Sequence, residues 1–138
     1  MTEFATKPLP DAYDVLAPDG SEVRVLLALA GGGMAHFALP AGKVSRAVRH
    51  RTVEEIWYVL DGRGQMWRGR NGRDEVADLQ PGDCLTIPVG TSFQFRAAPD
   101  AAFSAVAVTM PPWPGPDEAE FVAGIWTADP VAGGAAGA

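Results

Sequence analysis

Apolar residues in this chain come in short bursts, and most bursts alternate with polar positions. Over residues 21–30, Val23, Val25, Leu27 and Leu29 recur at every second position. That is the period of a strand with one face turned inward. Further strand-like runs occur at 34–39, 44–50, 75–79, 85–88, 93–97 and 103–110, with a shorter one at 65–68. Residues 55–60 (Glu-Ile-Trp-Tyr-Val-Leu) are apolar at almost every position, which predicts burial on both faces. Turn signals separate the runs: Asp19-Gly20, Gly31 to Gly33, Pro40-Ala-Gly42, Asp61-Gly62, Asn71-Gly72 and Gln80-Pro-Gly-Asp83. Only residues 117–122 suggest helix, and then about one turn. Many short strands with frequent turns predict an all-β sandwich or barrel.

At 138 residues the chain is long enough for one domain that buries its own core. Its 16 glycines and 12 prolines punctuate the apolar runs rather than forming one tract, so they read as turns. The pattern divides the chain into an N-terminal extension (1–20), a barrel domain (21–126) and a tail (127–138) that is expected to be disordered. Residues 131–138 offer no side chain large enough to pack, which predicts disorder. A net charge of −6 disfavours a nucleic-acid partner. Most of the basic residues fall between Lys43 and Arg73, but apolar positions interrupt them, as on a solvated strand face. No run approaches the ~18 apolar residues of a membrane span, and the first residues lack the layout of a signal peptide. No membrane partner is expected. The single cysteine, Cys84, excludes an internal disulfide and fits a reducing compartment, so the expected location is the cytoplasm. Cys84 itself reads as a core residue at the start of a buried strand.

The chemistry concentrates around His50 and Glu55, which flank the connection 51–54. If that connection closes a hairpin, the two residues oppose each other and share a face with Val48 and Trp57. A carboxylate beside an imidazole orients the ring and favours its charged form, so the pair has the makings of a general acid and base. The alternative is a hydrogen-bonded pair that only satisfies a buried polar spot. Phe93 and Phe95 share a strand face. With Trp57 and Trp67 they are candidates for an aromatic pocket wall, although Trp67 sits in a run too short to fix its face. Plain core is the competing reading for each aromatic.

Two blocks carry a family resemblance. The first runs Gly42-Lys-Val-Ser-Arg-Ala-Val48-Arg-His50-Arg-Thr-Val-Glu54-Glu55 and on to Gly62. The second runs from Gly82 through Pro88-Val-Gly90 to Phe93. Together they resemble the two sequence motifs of the cupin superfamily, in which both blocks are spaced by glycines and proline as they are here. The resemblance implies a cupin-type antiparallel jelly-roll β-barrel. It also implies a divalent metal in the barrel, held by two His and one Glu from the first motif and one His from the second. On that pattern His50 and Glu55 match two ligands. Val48 and Phe93 stand at the other two positions, and Ala97 stands at the second motif's Asn. His36 is a candidate recruit, with Gln65, Gln94 and Cys84 behind it. The implied cofactor is therefore none, or a weakly bound divalent metal.

The leading expectation is a small organic ligand in an aromatic-lined barrel interior, bounded by Val48, Trp57, Trp67, Phe93 and Phe95. If the site is catalytic, His50 serves as base and Glu55 orients it, in isomerase-, lyase- or cyclase-type chemistry. The alternatives are a metal-dependent cupin enzyme using His50, Glu55 and recruited ligands, and a non-catalytic ligand-binding or sensor module. The segment Met110-Pro-Pro-Trp113-Pro-Gly-Pro116 is rigid and extended, fit to fold Trp113 over a barrel edge or a dimer interface. A homodimer is expected, as small cupins commonly form one, with the apolar 55–60 strand suited to the packing.

Overall fold

The computed structural model describes residues 3–130. Its strands are β1 (Val15–Leu16), β2 (Glu22–Leu29), β3 (Gly32–Leu39), β4 (Val48–His50), β5 (Glu54–Asp61), β6 (Gly64–Arg70), β7 (Arg73–Leu79), β8 (Cys84–Ile87), β9 (Ser92–Ala97), β10 (Phe103–Met110) and β11 (Ala119–Phe121). One sheet has the order β1-β2-β3-β10-β5-β8 and the other β11-β4-β9-β6-β7, with antiparallel pairing throughout. From β3 onward the chain crosses repeatedly between the two sheets, the winding of a jelly roll. The all-β, two-sheet architecture expected from the alternation is the one observed.

The turns form where glycine permits them. Asn71 and Gly72, both at positive φ, make the β6–β7 hairpin, and Gly62 turns the chain between β5 and β6. At Gly62 a side chain would also run into the backbone of Ala102. The core lies between the sheets. Trp57 stacks on Phe37 at 5.1 Å and meets Phe95 edge-on at 5.1 Å, and Phe95 leans on Phe103. Met66, Val59, Leu85 and Ile87 fill the space around them.

Several expectations need correction. Strand β5 alternates: Glu55, Trp57 and Val59 are buried, while Ile56, Tyr58 and Leu60 face outward. Its apolarity is therefore two-sided without two-sided burial. Cys84 is exposed, because it pairs with Tyr58 and shares that outward face. The run 44–50 contributes a strand only at Val48–His50, with an isolated bridge from Val44 to Arg96. Residues 117–122 hold a short 3-10 helix, Pro116–Glu118, followed by β11. The N-terminal extension joins the barrel through β1, and the tail is tied in at Asp129. Its Oδ2 accepts from Val44 N–H at 2.7 Å, while its own N–H donates to Val44 C=O. The disorder expected of 131–138 lies outside the described residues.

Candidate functional site

His50 and Glu55 do meet, but not across a hairpin. Strand β4 pairs with β9 and β11, and β5 pairs with β10 and β8, so the two residues come from opposite sheets. The connection between them, residues 51–53, is a corner between sheets. Glu118 holds that corner: its carboxylate accepts from Thr52 N–H and Thr52 Oγ1–H, each at 2.6 Å, and from Val53 N–H at 2.8 Å. Burial alone would raise the Glu118 carboxyl. The Thr52 and Val53 hydrogen bonds, with a smaller pull from His50, outweigh it and hold the group below its ordinary 4.5.

The corner turns His50 toward β5. Its Nδ1 lies 2.9 Å from Glu55 Oε2, and the two side chains are 7% and 3% exposed. The approach is out of line with the ring N–H, so among the described residues Nδ1 has no aligned hydrogen bond although the two atoms are in contact. The other carboxylate oxygen, Oε1, accepts from Trp57 Nε1–H at 2.7 Å. Phe93 and Trp113 both meet the imidazole edge-on, at 5.2 and 5.0 Å. The Pro-rich segment thus folds Trp113 over the barrel end.

These groups line a cavity of about 460 Å³. Phe37 and Trp57 contribute to its wall, as do Val48 and Phe93, which are cross-strand partners. Val15, Val25, Leu27 and Met34 line it too and are solvent-exposed, marking its mouth. A cavity of this size, mostly apolar with a few polar groups at one place, has the form of a small-molecule site.

Asp19 belongs to the same cavity and was missed in the sequence, where Asp19-Gly20 reads as a turn. It is that turn, but the turn faces inward. Asp19 Oδ1 accepts from Ser21 N–H at 2.9 Å and from Ser21 Oγ–H at 2.6 Å. Burial pushes its carboxyl above the ordinary 3.8 and Glu55 adds to the rise, while Ser21 and His50 oppose it. Thr109, likewise unforeseen, lines the wall and donates to Gly33 C=O.

Other expected site residues lie elsewhere. Phe95 is fully buried behind Trp57, in the core rather than on the cavity wall. Trp67 is buried on the opposite face of β6 from the core residue Met66 and does not line the cavity. His36 is not a recruit. It pairs with Arg24 and Val106 on the outward face of its sheet, and its Nδ1 has no hydrogen-bond partner there. Gln65 donates to Asp78 and accepts from Arg96. Gln94 binds residues 125 and 126 on the outside of β9.

This placement bears on the metal that the motifs imply. Among the described residues no group of three or more His, Cys, Asp or Glu side chains is arranged to hold an ion. Both Glu55 oxygens are engaged, and the two remaining ligand positions are the apolar pair Val48 and Phe93. A catalytic zinc or iron centre needs about three protein ligands. The residues present do not fit it.

The two-sheet antiparallel jelly roll is the architecture that the motifs implied. The family model for the cupin domain matches residues 35–109, more than half of the chain, and the chain belongs to that family. An uncharacterized protein of Methanocaldococcus jannaschii, MJ1618, is 29% identical over 110 residues, covering 73% of this chain and 85% of the relative. Among solved structures, the capsular polysaccharide assembling protein CapF of Staphylococcus aureus superposes with a TM-score of 0.69 at 15% identity. The match takes in 85% of this chain but only 35% of CapF. A protein with a double-stranded β-helix domain from Klebsiella pneumoniae subsp. pneumoniae superposes with a TM-score of 0.63 at 16% identity, covering 79% of this chain and 91% of that one. At such identities the likeness is one of fold. Among the described residues no helix is long and apolar enough to cross a membrane.

Proposed function

We propose that this protein binds a small, largely apolar organic molecule in the end-cavity, with His50 and Glu55 as the polar pair that orients it. If the site is catalytic, His50 is the base and Glu55 its positioning partner, in proton transfer next to a carbonyl. The observation that carries the reading is the buried contact between Nδ1 and Oε2, set in the wall of a 460 Å³ cavity. A solvated pair would have little effect on a ligand; a desolvated one acts at low local dielectric. The single cysteine supports a reducing, cytoplasmic setting.

The test is a comparison of ligands that copurify. Wild-type protein and an Ala35→Phe variant, which places a ring in the cavity, are denatured and their extracts compared by mass spectrometry. A compound present with the wild type and absent from the variant supports the reading; equal extracts sink it. That compound, incubated with protein in deuterium oxide, then reports on catalysis. Exchange with the wild type that is lost in His50→Ala identifies the base, and exchange that persists removes His50 from the role. Binding with no exchange in the wild type leaves a ligand-binding module.

We infer as well that two copies pack through the outward face of β5. Ile56, Tyr58 and Leu60 form an exposed apolar row there, of the kind that marks an interface.

A further inference from the structure

Resting on the ligand-site reading above, we propose that the cavity takes an organic cation: an apolar body about the size of an aromatic ring that bears a protonated amine. The titratable residues on the cavity wall are Asp19, His50 and Glu55, and among the described residues no lysine or arginine lines it. Two carboxyl groups thus face a single imidazole across the wall. Asp19 adds an unmet demand. Both Ser21 donors go to Oδ1, and Oδ2 accepts none of the hydrogen bonds among the described residues. A buried carboxylate in that position has only His50, already in contact with Glu55, to offset it, and burial above all raises its pKa.

An ammonium group would supply the missing charge and donate to the free oxygen in a charge-assisted hydrogen bond. Aromatic rings line the same wall: Phe93 and Trp113 flank His50, and Trp57 lies beside Glu55. An anionic ligand meets two carboxylates and finds no guanidinium or ammonium to offset its own desolvation. A neutral alcohol falls between these cases.

Three probes with one ring system separate them: phenethylamine, phenethyl alcohol and phenylacetate. Their binding to the full chain is followed by tryptophan fluorescence, since Trp57 and Trp113 both line the cavity, with calorimetry as a check. The amine is expected to bind about tenfold more tightly than the alcohol, and phenylacetate most weakly. Asp19→Asn, which keeps the acceptor for Ser21, is expected to remove most of the amine's advantage over the alcohol. Alcohol or phenylacetate binding as tightly as the amine would overturn the cation preference and leave the ligand site standing. Failure of all three probes to bind would overturn both. An amine advantage that survives Asp19→Asn would also overturn the proposal, because the counter-charge would then lie elsewhere.

Discussion

Glu118 shows how one carboxylate can set a site it does not enter. It takes three hydrogen bonds from Thr52 and Val53, and those fix the corner that turns His50 toward Glu55. Hydrogen bonds to a charged group contribute about 1.5–3 kcal/mol each, and Gln at this position keeps one carbonyl acceptor. Glu118→Gln is therefore expected to lower stability by about 2 kcal/mol, measured by urea unfolding near neutral pH. Because the folded-state pKa lies below the ordinary 4.5, the carboxylate's contribution is full above that value. It is lost as pH falls through the folded value, so wild type and variant should converge in acid. An unchanged gap across that range would argue against the assignment. At this scale the sequence was partly legible. The spacing of His50 and Glu55 marked them as neighbours, and motif position identified Val48 and Phe93 as apolar replacements. Glu118 and Asp19 were not legible, since each acts on residues that only the fold brings near.

At the scale of elements, alternation located most strands but not their partners. Strand β4 and strand β5 look like the arms of a hairpin because their apolar positions agree in phase. They lie in different sheets because β9 and β11 occupy the edges of β4. The sequence of β5 predicts burial on both sides because nothing local distinguishes an apolar face kept for solvent or a partner from one kept for the core. Residues 122–129 likewise offered no pattern, yet they form a strap over β9. Gln94 donates to Ser45 C=O and Trp126 C=O and accepts from the N–H groups of Ile125 and Trp126. Arg96 stacks on the Trp126 ring at 4.2 Å. Gln94→Leu strands those four backbone groups. The expected loss is about 2–4 kcal/mol, at about 1–3 kcal/mol for each buried group left unpaired and with water recovering some of them. Amide hydrogen exchange should show the strap opening; exchange at Ile125 and Trp126 as slow as in the wild type would refute its dependence on Gln94.

For the whole molecule, the two-sheet barrel separates two apolar surfaces that the sequence could not tell apart. One lines the end-cavity, and the other is the outward face of β5. If that outward face joins two copies, Tyr58→Lys should place like charges in the interface and shift a dimer to monomer in sedimentation at micromolar concentration, with the unfolding midpoint of the monomer little changed. A wild type that sediments as a monomer would remove the interface. Cys84 is the cross-strand neighbour of Tyr58 on this same face, exposed and well outside the barrel interior. As the chain's sole sulfhydryl, it offers one defined attachment point for a maleimide dye. Packing of two copies over that sulfur would slow its modification, so the labelling rate would report self-association while leaving the tryptophans free to report what enters the barrel.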